Sequence, residues 1–298
     1  MTVPASVAGQ TAVDSPGVES APFWIDERYR PLLRRHRMDS LDGLLSVRSG
    51  DCLDKAGLPS WRQRSRVELE DATGGLRTFY LKRYESPPLA AQMRRWWSGG
   101  RRHGSAWLEW SWLRRLRADG VRVPEPIAFA ERMRGFRELS SAVLVASAPG
   151  ESLEQQVARQ TERVDRSRLM QLAEFVGRFH KLGYIHRDLY LAHVFEAGDG
   201  VFYLIDLQRV MVPRWRRQRW LIKDLSALHY STPLRSASRV DRVRFMRRHR
   251  EVRRLRPVDK RLIRRIAAKA RRVARREQRR GRLAEWQRWL LMSSGSRW

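Results

Sequence analysis

The sequence has one cysteine, Cys52, and far fewer acidic than basic residues. A single thiol cannot close an internal disulfide, so this chain fits a reducing compartment or has no need of cross-links. Lys and Arg total 61 against 32 Asp and Glu, which gives a formal net charge of +29 over 298 residues. Such a charge indicates a polyanionic partner: nucleic acid, an anionic membrane surface or a phosphorylated glycan.

Long apolar runs are also missing. No uncharged apolar stretch reaches the roughly 18 residues that a membrane-spanning helix needs. Residues 1–22, small and polar, contain neither a basic start nor an apolar segment, so we expect a disordered tail and not a signal peptide or anchor. Any membrane contact is therefore expected to be peripheral.

The order of strand and helix patterns predicts an α+β fold with two lobes. Alternating apolar residues on both sides of the turn ATGG predict a hairpin, with Lys82 in its second strand. A helical pattern ending at Gly120 follows, and then two more strand patterns. From about Glu151 onward the patterns are mainly helical and, towards the end, very basic. We assign 23–147 to an N-lobe and 148–298 to a C-lobe.

Four residues occur in the order that phosphoryl transfer by a protein kinase requires. They are a strand lysine, a helix glutamate, the Asp of a His-Arg-Asp triplet, and an Asp that follows the apolar run FYLI: Lys82, Glu109, Asp188 and Asp206. Singly, each has an ordinary explanation as an edge charge, half of a surface ion pair or a turn cap. Together and in this order they favour a kinase.

Longer segments around these residues resemble one kinase family. The segments FYLKRY, LEWSWLRRLRADGVRVPEP, HRDLYLAHVF, FYLIDLQRV and WLIKDLSALHYS are similar to the lipopolysaccharide kinases of the Kdo/WaaP family, over about residues 60–232. The resemblance implies a bilobal protein-kinase-like fold, with a small β-rich N-lobe containing one key helix and a mainly helical C-lobe. It also implies ATP-dependent transfer of the γ-phosphate to a sugar hydroxyl of the lipopolysaccharide core or a similar anionic, lipid-anchored glycan.

The resemblance assigns a role to each of the four residues. Lys82 would bind the nucleotide phosphates and be held by Glu109. Asp206 would hold Mg²⁺, since a hard cation prefers carboxylate oxygen. Asp188 would orient the acceptor hydroxyl and accept its proton, a role worth about 10² to 10⁴ in rate.

Two departures from ordinary protein kinases concern the nucleotide site. His193 stands five residues after Asp188, where such kinases place an Asn on a second Mg²⁺, and imidazole is a poor ligand for that ion. Either one metal suffices, or His193 contacts phosphate, or a softer ion such as Mn²⁺ is accepted, or the ring only packs in the loop. No G-x-G-x-x-G precedes the hairpin, and the segment VRSGDCLDKAG (47–57) is a weak candidate for a loop that covers the nucleotide.

The segment that follows Asp206 is rich in arginine. Leu207–Leu225 contains no Ser, Thr or Tyr, which excludes control by phosphorylation within it. Guanidinium groups bind phosphate well, so we predict that its arginines bind the acceptor; a solvated face is the alternative. The predicted acceptor-binding residues are Arg209, Arg214, Arg216, Arg217 and Arg219. Asp224 is either a buried tie to the loop of Asp188 or a helix N-terminal cap.

The sequence leaves open the role of the C-terminal segment, the acceptor and the class of function. The basic C-terminal segment with Trp286 and Trp289 is either an interfacial helix on an anionic membrane or a core helix with a basic exterior. The enzyme is either peripheral on the inner face of the cytoplasmic membrane, which we favour, or a soluble phosphotransferase for a protein or small molecule. A kinase-shaped RNA or ribosome binder is less favoured, and nothing in the sequence sets the oligomeric state.

Overall fold

The computed structural model describes residues 22–47, 51–52, 59–97, 103–159, 162–198, 200–282, 284 and 287–292. Three features predicted from sequence lie outside this part of the chain: the tail over 1–21, most of the glycine-bearing segment 47–57, and Trp286 with the side chain of Trp289. The chain divides into two compact units. The N-terminal unit comprises Met1–Trp110 and Pro126–Ala146, and the C-terminal unit comprises Ser111–Glu125 and Ser147–Trp298.

The N-terminal unit is built on a six-stranded antiparallel sheet in the order β1-β5-β6-β4-β3-β2. Its strands are β1 (Phe23–Ile25), β2 (Asp51–Cys52), β3 (Arg62–Glu70), β4 (Leu76–Glu85), β5 (Pro126–Arg134) and β6 (Arg137–Ala146). Its helices are α1 (Arg30–Arg35), α2 (Leu41–Ser46), α3 (Leu89–Trp97) and the first part of α4 (Ser105–Ala118).

The predicted hairpin is confirmed as β3 and β4. Asp71 shapes its turn, because Oδ1 of this residue accepts from the amides of Thr73 at 2.9 Å and Gly75 at 3.0 Å. Gly74 adopts φ +82°, a conformation that favours glycine. Strand alternation buries Phe79 and Leu81 in the core of the unit, together with Leu33, Leu44, Ile127 and Leu144. Lys82 lies in the second strand, as predicted.

The C-terminal unit is mainly helical, with one small sheet in the order β7-β8-β9. Its helices after α4 are α5 (Leu153–Arg159), α6 (Arg166–Lys181), α7 (Arg217–Ser231), α8 (Arg239–His249), α9 (Pro257–Arg279) and α10 (Trp289–Met292). Its strands are β7 (Glu151–Ser152), β8 (Val194–Glu196) and β9 (Phe202–Leu204). The prediction of a β-rich first part and a helical second part is thereby confirmed.

The long basic helix α9 has one apolar face, which packs inside the unit. Buried positions recur at helical spacing, as in Leu262, Ile266, Ala270 and Ala274. Arginines cover the opposite side. For 257–279 this arrangement is the core-helix alternative of the sequence analysis. Of the helices that the structure describes, none has the length and apolar character that crossing a bilayer requires.

Candidate active site

The N-terminal unit pairs Lys82 with Glu109. Nζ of Lys82 donates to Oε1 of Glu109 at 2.6 Å, and the lysine side chain is only 12 % exposed. Antiparallel pairing with Arg64 on one side and Val143 on the other fixes the backbone at this lysine. An ammonium group held this way by a buried carboxylate is suited to a phosphate ligand, because its position is set before the ligand arrives.

Two buried glutamates of the sheet fix the start of α4, the helix that carries Glu109. Oε1 of Glu138 accepts from the amide of Ser105 at 2.7 Å, and Oε2 accepts from the hydroxyl of the same serine at 2.7 Å. Oε2 of Glu131 accepts from the amide of Gly104. Amides at a helix N-terminus have no partner inside the helix, and negative charge is favourable there. These carboxylates therefore set the position of the first turn of α4 relative to the sheet of the N-terminal unit.

In the C-terminal unit, Asp224 holds the loop that contains Asp188. Its Oδ2 accepts from the amide of His186 and its Oδ1 from the amide of Arg187, both at 2.7 Å. Asp224 is fully buried and lies inside α7, which begins at Arg217. The N-cap alternative is therefore wrong, and the tie to the loop backbone is what the structure contains. Arg187 adopts φ +72°, a strained conformation that these two hydrogen bonds stabilise.

His186 supports the same loop from its other side. Its Nε2 donates to the backbone carbonyl of Ile205 at 2.9 Å, so the loop is joined to the residue just before Asp206. Burial lowers the pKa of His186, which keeps the imidazole neutral at ordinary pH. A neutral, buried ring with a backbone partner is a structural support and not a proton carrier.

His193 and Asp206 lie next to each other. Nδ1 of His193 donates to the backbone carbonyl of Asp188 at 2.7 Å, which leaves the lone pair on Nε2, 3.9 Å from Oδ2 of Asp206. Imidazoles that bind metals usually donate their other nitrogen to a carbonyl in this way. One carboxylate and one imidazole nitrogen are two ligands that a divalent cation can use. No cluster of three or more potential ligands occurs among the residues the structure describes.

Two cations flank the carboxylate of Asp188. Nη1 of Arg209 lies 2.8 Å from its Oδ2, and Nζ of Lys223 lies 3.6 Å from its Oδ1. Burial lowers the pKa of Lys223, as do the nearby Arg209 and Arg187, while Asp188 acts in the opposite direction. Positive charge is therefore concentrated around the carboxylate that the sequence assigned to the acceptor.

The five predicted acceptor-binding arginines do not share one environment. Arg209 is paired with Asp188, Arg217 donates to the backbone carbonyl of His180, and Arg219 lies over the ring of Trp220 at 5.6 Å. All five are exposed, including Arg214 and Arg216. The run is thus accessible to solvent throughout, but its arginines differ in their contacts and do not form a single cluster.

Sequence reasoning missed two features of this site. Lys223 follows the predicted arginines in the same basic segment but was not among the predicted site residues. Its position one residue before Asp224 was the signal that it could lie near Asp188. Glu131 and Glu138 received no role, although an acidic residue inside a mostly apolar strand pattern is unusual enough to require a partner.

Comparison with protein-family models matches residues 67–249, well over half of the chain, to the Lipopolysaccharide kinase (Kdo/WaaP) family. The chain belongs to this family. The resemblance inferred from the sequence is confirmed, and Lys82, Glu109, Asp188, His193 and Asp206 all fall within the matched region.

Individual relatives agree with this placement. The chain is 33 % identical over 152 residues to lipopolysaccharide core heptose(I) kinase WaaP of Pseudomonas aeruginosa, a match that covers 47 % of this chain and 57 % of the relative. It is 28 % identical over 190 residues to WaaP of Escherichia coli K12, covering 58 % of this chain and 71 % of that relative. The solved structure described as WaaP in complex with acyl carrier protein superposes with a TM-score of 0.57 at 24 % identity, over 91 % of this chain and 98 % of that one. That likeness confirms the predicted fold.

Proposed function

We propose that this protein is an ATP-dependent kinase that phosphorylates a sugar hydroxyl of the lipopolysaccharide core, on a heptose by analogy with the named relatives. The observation that carries the proposal is the fixed loop of Asp188: Asp224 and His186 hold its backbone, while Arg209 and Lys223 flank its carboxylate. Family membership supports the same reaction class.

We assign nucleotide binding to 23–147 and catalysis with acceptor binding to 148–298. In the first region, Lys82 orients the phosphates of ATP, since Glu109 fixes its ammonium group in a mostly buried position. Glu131 and Glu138 act through the start of α4 and contact no substrate. They are positioning residues for the ion pair of Lys82 with Glu109.

In the second region, Asp188 orients the acceptor hydroxyl and accepts its proton as the bond to phosphorus forms. Asp206, with Nε2 of His193 beside it, would hold a divalent cation, Mg²⁺ or the softer Mn²⁺, and that cation would neutralise charge at the phosphates. Lys223 keeps positive charge beside Asp188, where it can interact with the negative charge of the transferred phosphate. Each of these side chains is held by a named partner in the same unit.

The acceptor is an anionic glycan carried by a lipid, and the kinase meets it on the inner face of the cytoplasmic membrane. The net charge of +29 supports this class of partner, because a basic surface concentrates polyanions. Arg214 and Arg216, both exposed, are the arginines of the predicted set best placed to meet phosphate groups from outside the protein. Acyl carrier protein is a further candidate partner, supported by the structural neighbour alone.

The deciding experiment is transfer of labelled γ-phosphate to purified lipopolysaccharide that lacks core phosphate. We expect transfer by the parent protein and a loss of about 10² or more in turnover for Asp188→Asn, with unchanged circular dichroism and ATP binding. Asp39→Asn, a change at an exposed aspartate, is the matched control.

Near-normal turnover of a folded Asp188→Asn protein would contradict the role of Asp188. Transfer to added proteins or small alcohols, with no transfer to lipopolysaccharide, would support kinase activity but contradict the proposed acceptor. RNA binding without any transfer would favour the nucleic-acid alternative.

A further inference from the structure

An exposed apolar surface lies on the segment that follows the candidate active site. Trp215 is 80 % exposed, the highest value among the large apolar residues that the structure describes as exposed. Val212 and Leu182 are each 43 % exposed. Single exposed apolar residues are common on proteins, but a group of three that includes a tryptophan requires an explanation.

These three residues come from two segments that the fold brings together. Ile185 and Met211 form an antiparallel bridge, with amide-to-carbonyl distances of 2.9 and 3.0 Å in the two directions. Beyond this bridge, a Cβ placed on Gly183 would lie 3.9 Å from Cγ1 of Val212. The turn at Leu182 is therefore adjacent to the loop that bears Val212 and Trp215. We call Leu182, Val212 and Trp215 the Trp215 patch.

Cations surround the Trp215 patch. Between Leu207 and Lys223 the chain has six basic residues and no acidic one. Arg214 and Arg216 flank Trp215 directly, and both are exposed. Lys181 lies next to Leu182 and pairs with Glu251 at 3.0 Å. Tryptophan together with arginine is the composition that proteins use at the boundary between lipid headgroups and acyl chains.

We propose that the Trp215 patch is the membrane-contacting surface of this protein, with Trp215 in the headgroup region of an anionic bilayer and Arg214 and Arg216 on lipid phosphates. The proposal deepens the proposed function, because it says how a kinase without a described spanning helix reaches a lipid-anchored acceptor. The occupant is a membrane and not a sugar. Sites for small ligands are concave, with a few polar groups placed around the ligand, whereas Trp215 is 80 % exposed and lies between two exposed arginines.

The Trp215 patch is close in the chain to residues that contact the loop of Asp188. Arg209, in the same segment, is paired with Asp188, and the bridge at Ile185 comes one residue before His186. A bilayer bound at the patch therefore lies beside the catalytic loop of the same unit. An acceptor anchored in that bilayer is presented at Asp188 without diffusing through solvent.

The first test measures binding of the full chain to vesicles of 30 % phosphatidylglycerol and 70 % phosphatidylethanolamine by flotation. Trp215→Ser should weaken partitioning about tenfold, since a tryptophan buries a large apolar area at low entropic cost. Phe136→Ser, a matched control at a 62 % exposed aromatic residue of the N-terminal unit, should bind like the parent. Replacing Arg214 and Arg216 with Gln should weaken binding about fivefold per charge and flatten its dependence on phosphatidylglycerol, which corresponds to about 1 kcal/mol for each cation.

The second test compares lipopolysaccharide embedded in such vesicles with its deacylated, water-soluble core as acceptors. Trp215→Ser should raise KM for the embedded acceptor and leave KM for the soluble core unchanged. Equal increases for both acceptors would overturn the proposal in favour of a sugar contact, and parent-like flotation of Trp215→Ser would overturn it outright. If neither acceptor is phosphorylated but flotation depends on Trp215, the proposed acceptor fails and the membrane surface stands.

Discussion

Nη1 of Arg209 lies 2.8 Å from Oδ2 of Asp188 and 3.1 Å from its Oδ1. The first arginine after Asp206 therefore contacts the carboxylate to which we assign the acceptor proton. Its nearest ionic partner in the structure is part of the proposed catalytic machinery, so its role differs from that of the exposed Arg214. The structure therefore distinguishes an arginine that acts on the catalytic carboxylate from arginines that can bind an external anion, which the sequence alone does not.

Replacing Arg209 with Gln should lower kcat for lipopolysaccharide about tenfold and leave KM for ATP unchanged. The loss is at the low end for a charged hydrogen bond, because the arginine is half exposed and screened by solvent. Steady-state kinetics with each substrate varied would measure it. The matched control is Arg248→Gln, which removes an exposed Arg–Glu pair with Glu174 in the same unit. If only KM for the acceptor changed, Arg209 would bind the acceptor without acting on Asp188.

Asp206→Asn should abolish metal-dependent binding of ATP, since the amide oxygen lacks the charge that holds the cation. Calorimetric titration of the purified protein with ATP, with and without Mg²⁺, would measure this independently of turnover. His193→Asn should retain Mg²⁺-dependent binding and reduce the preference for Mn²⁺, because imidazole nitrogen favours the softer ion. Unchanged affinity of Asp206→Asn for Mg-ATP would reject the metal site.

Glu138→Gln should lower both stability and turnover. The two carboxylate oxygens of Glu138 accept three hydrogen bonds, from the amide and hydroxyl of Ser105 and the hydroxyl of Ser141. A glutamine has only one oxygen to accept them. An unsatisfied buried donor costs about 1 to 3 kcal/mol. Urea unfolding and kcat would show the two losses, and the exposed Glu70→Gln on the same sheet is the control. Loss of stability with full turnover would mean that the position of α4 does not control Lys82.

Stability should fall as the pH is lowered from about 6.5 towards 3, in part because of His249. Burial, with the neighbouring His180 and Arg250, lowers the pKa of His249 to about 3. The unfolded chain takes up a proton at this residue near pH 6.5 and the folded chain does not. The free energy of unfolding therefore falls by up to about 1.4 kcal/mol for each pH unit of acidification in this interval. His249→Gln should reduce that slope by as much as one proton. Urea titrations at several pH values would measure it, and identical slopes would show that the pKa of His249 is not lowered in the folded protein.

Much of the fold was predictable because its main elements have strong periodic patterns. The hairpin of Lys82, the helix α4 and the strands β5 and β6 were all expected from alternation, helical spacing and glycine positions. The three-residue strand β1 and the short helices α1 and α2 were missed, since so few residues show no period. Their pairing and packing depend on distant parts of the chain.

The contacts of the candidate site were predictable only in part. Order along the chain selected Lys82, Glu109, Asp188 and Asp206 as candidates, and the expected pair of Lys82 with Glu109 is present in the structure. The contact of Arg209 with Asp188 joins positions whose proximity only the folded loop determines. Asp224 remained open between two readings, because an aspartate near a helix start resembles a cap until the true start at Arg217 is known.

Helix α7 serves the catalytic loop with two consecutive residues. Lys223 approaches the side chain of Asp188, and Asp224 holds the two amides before it. Inserting one residue into α7 ahead of this pair would rotate both side chains by about 100° around the helix axis, so that neither could keep its partner. The largely exposed residues 212–216, between the bridge at Met211 and the start of α7, do not hold the catalytic loop in this way. Insertions and deletions among natural variants of this chain should therefore collect before α7, and the spacing from Arg217 to Asp224 should stay constant in length even where its residues change.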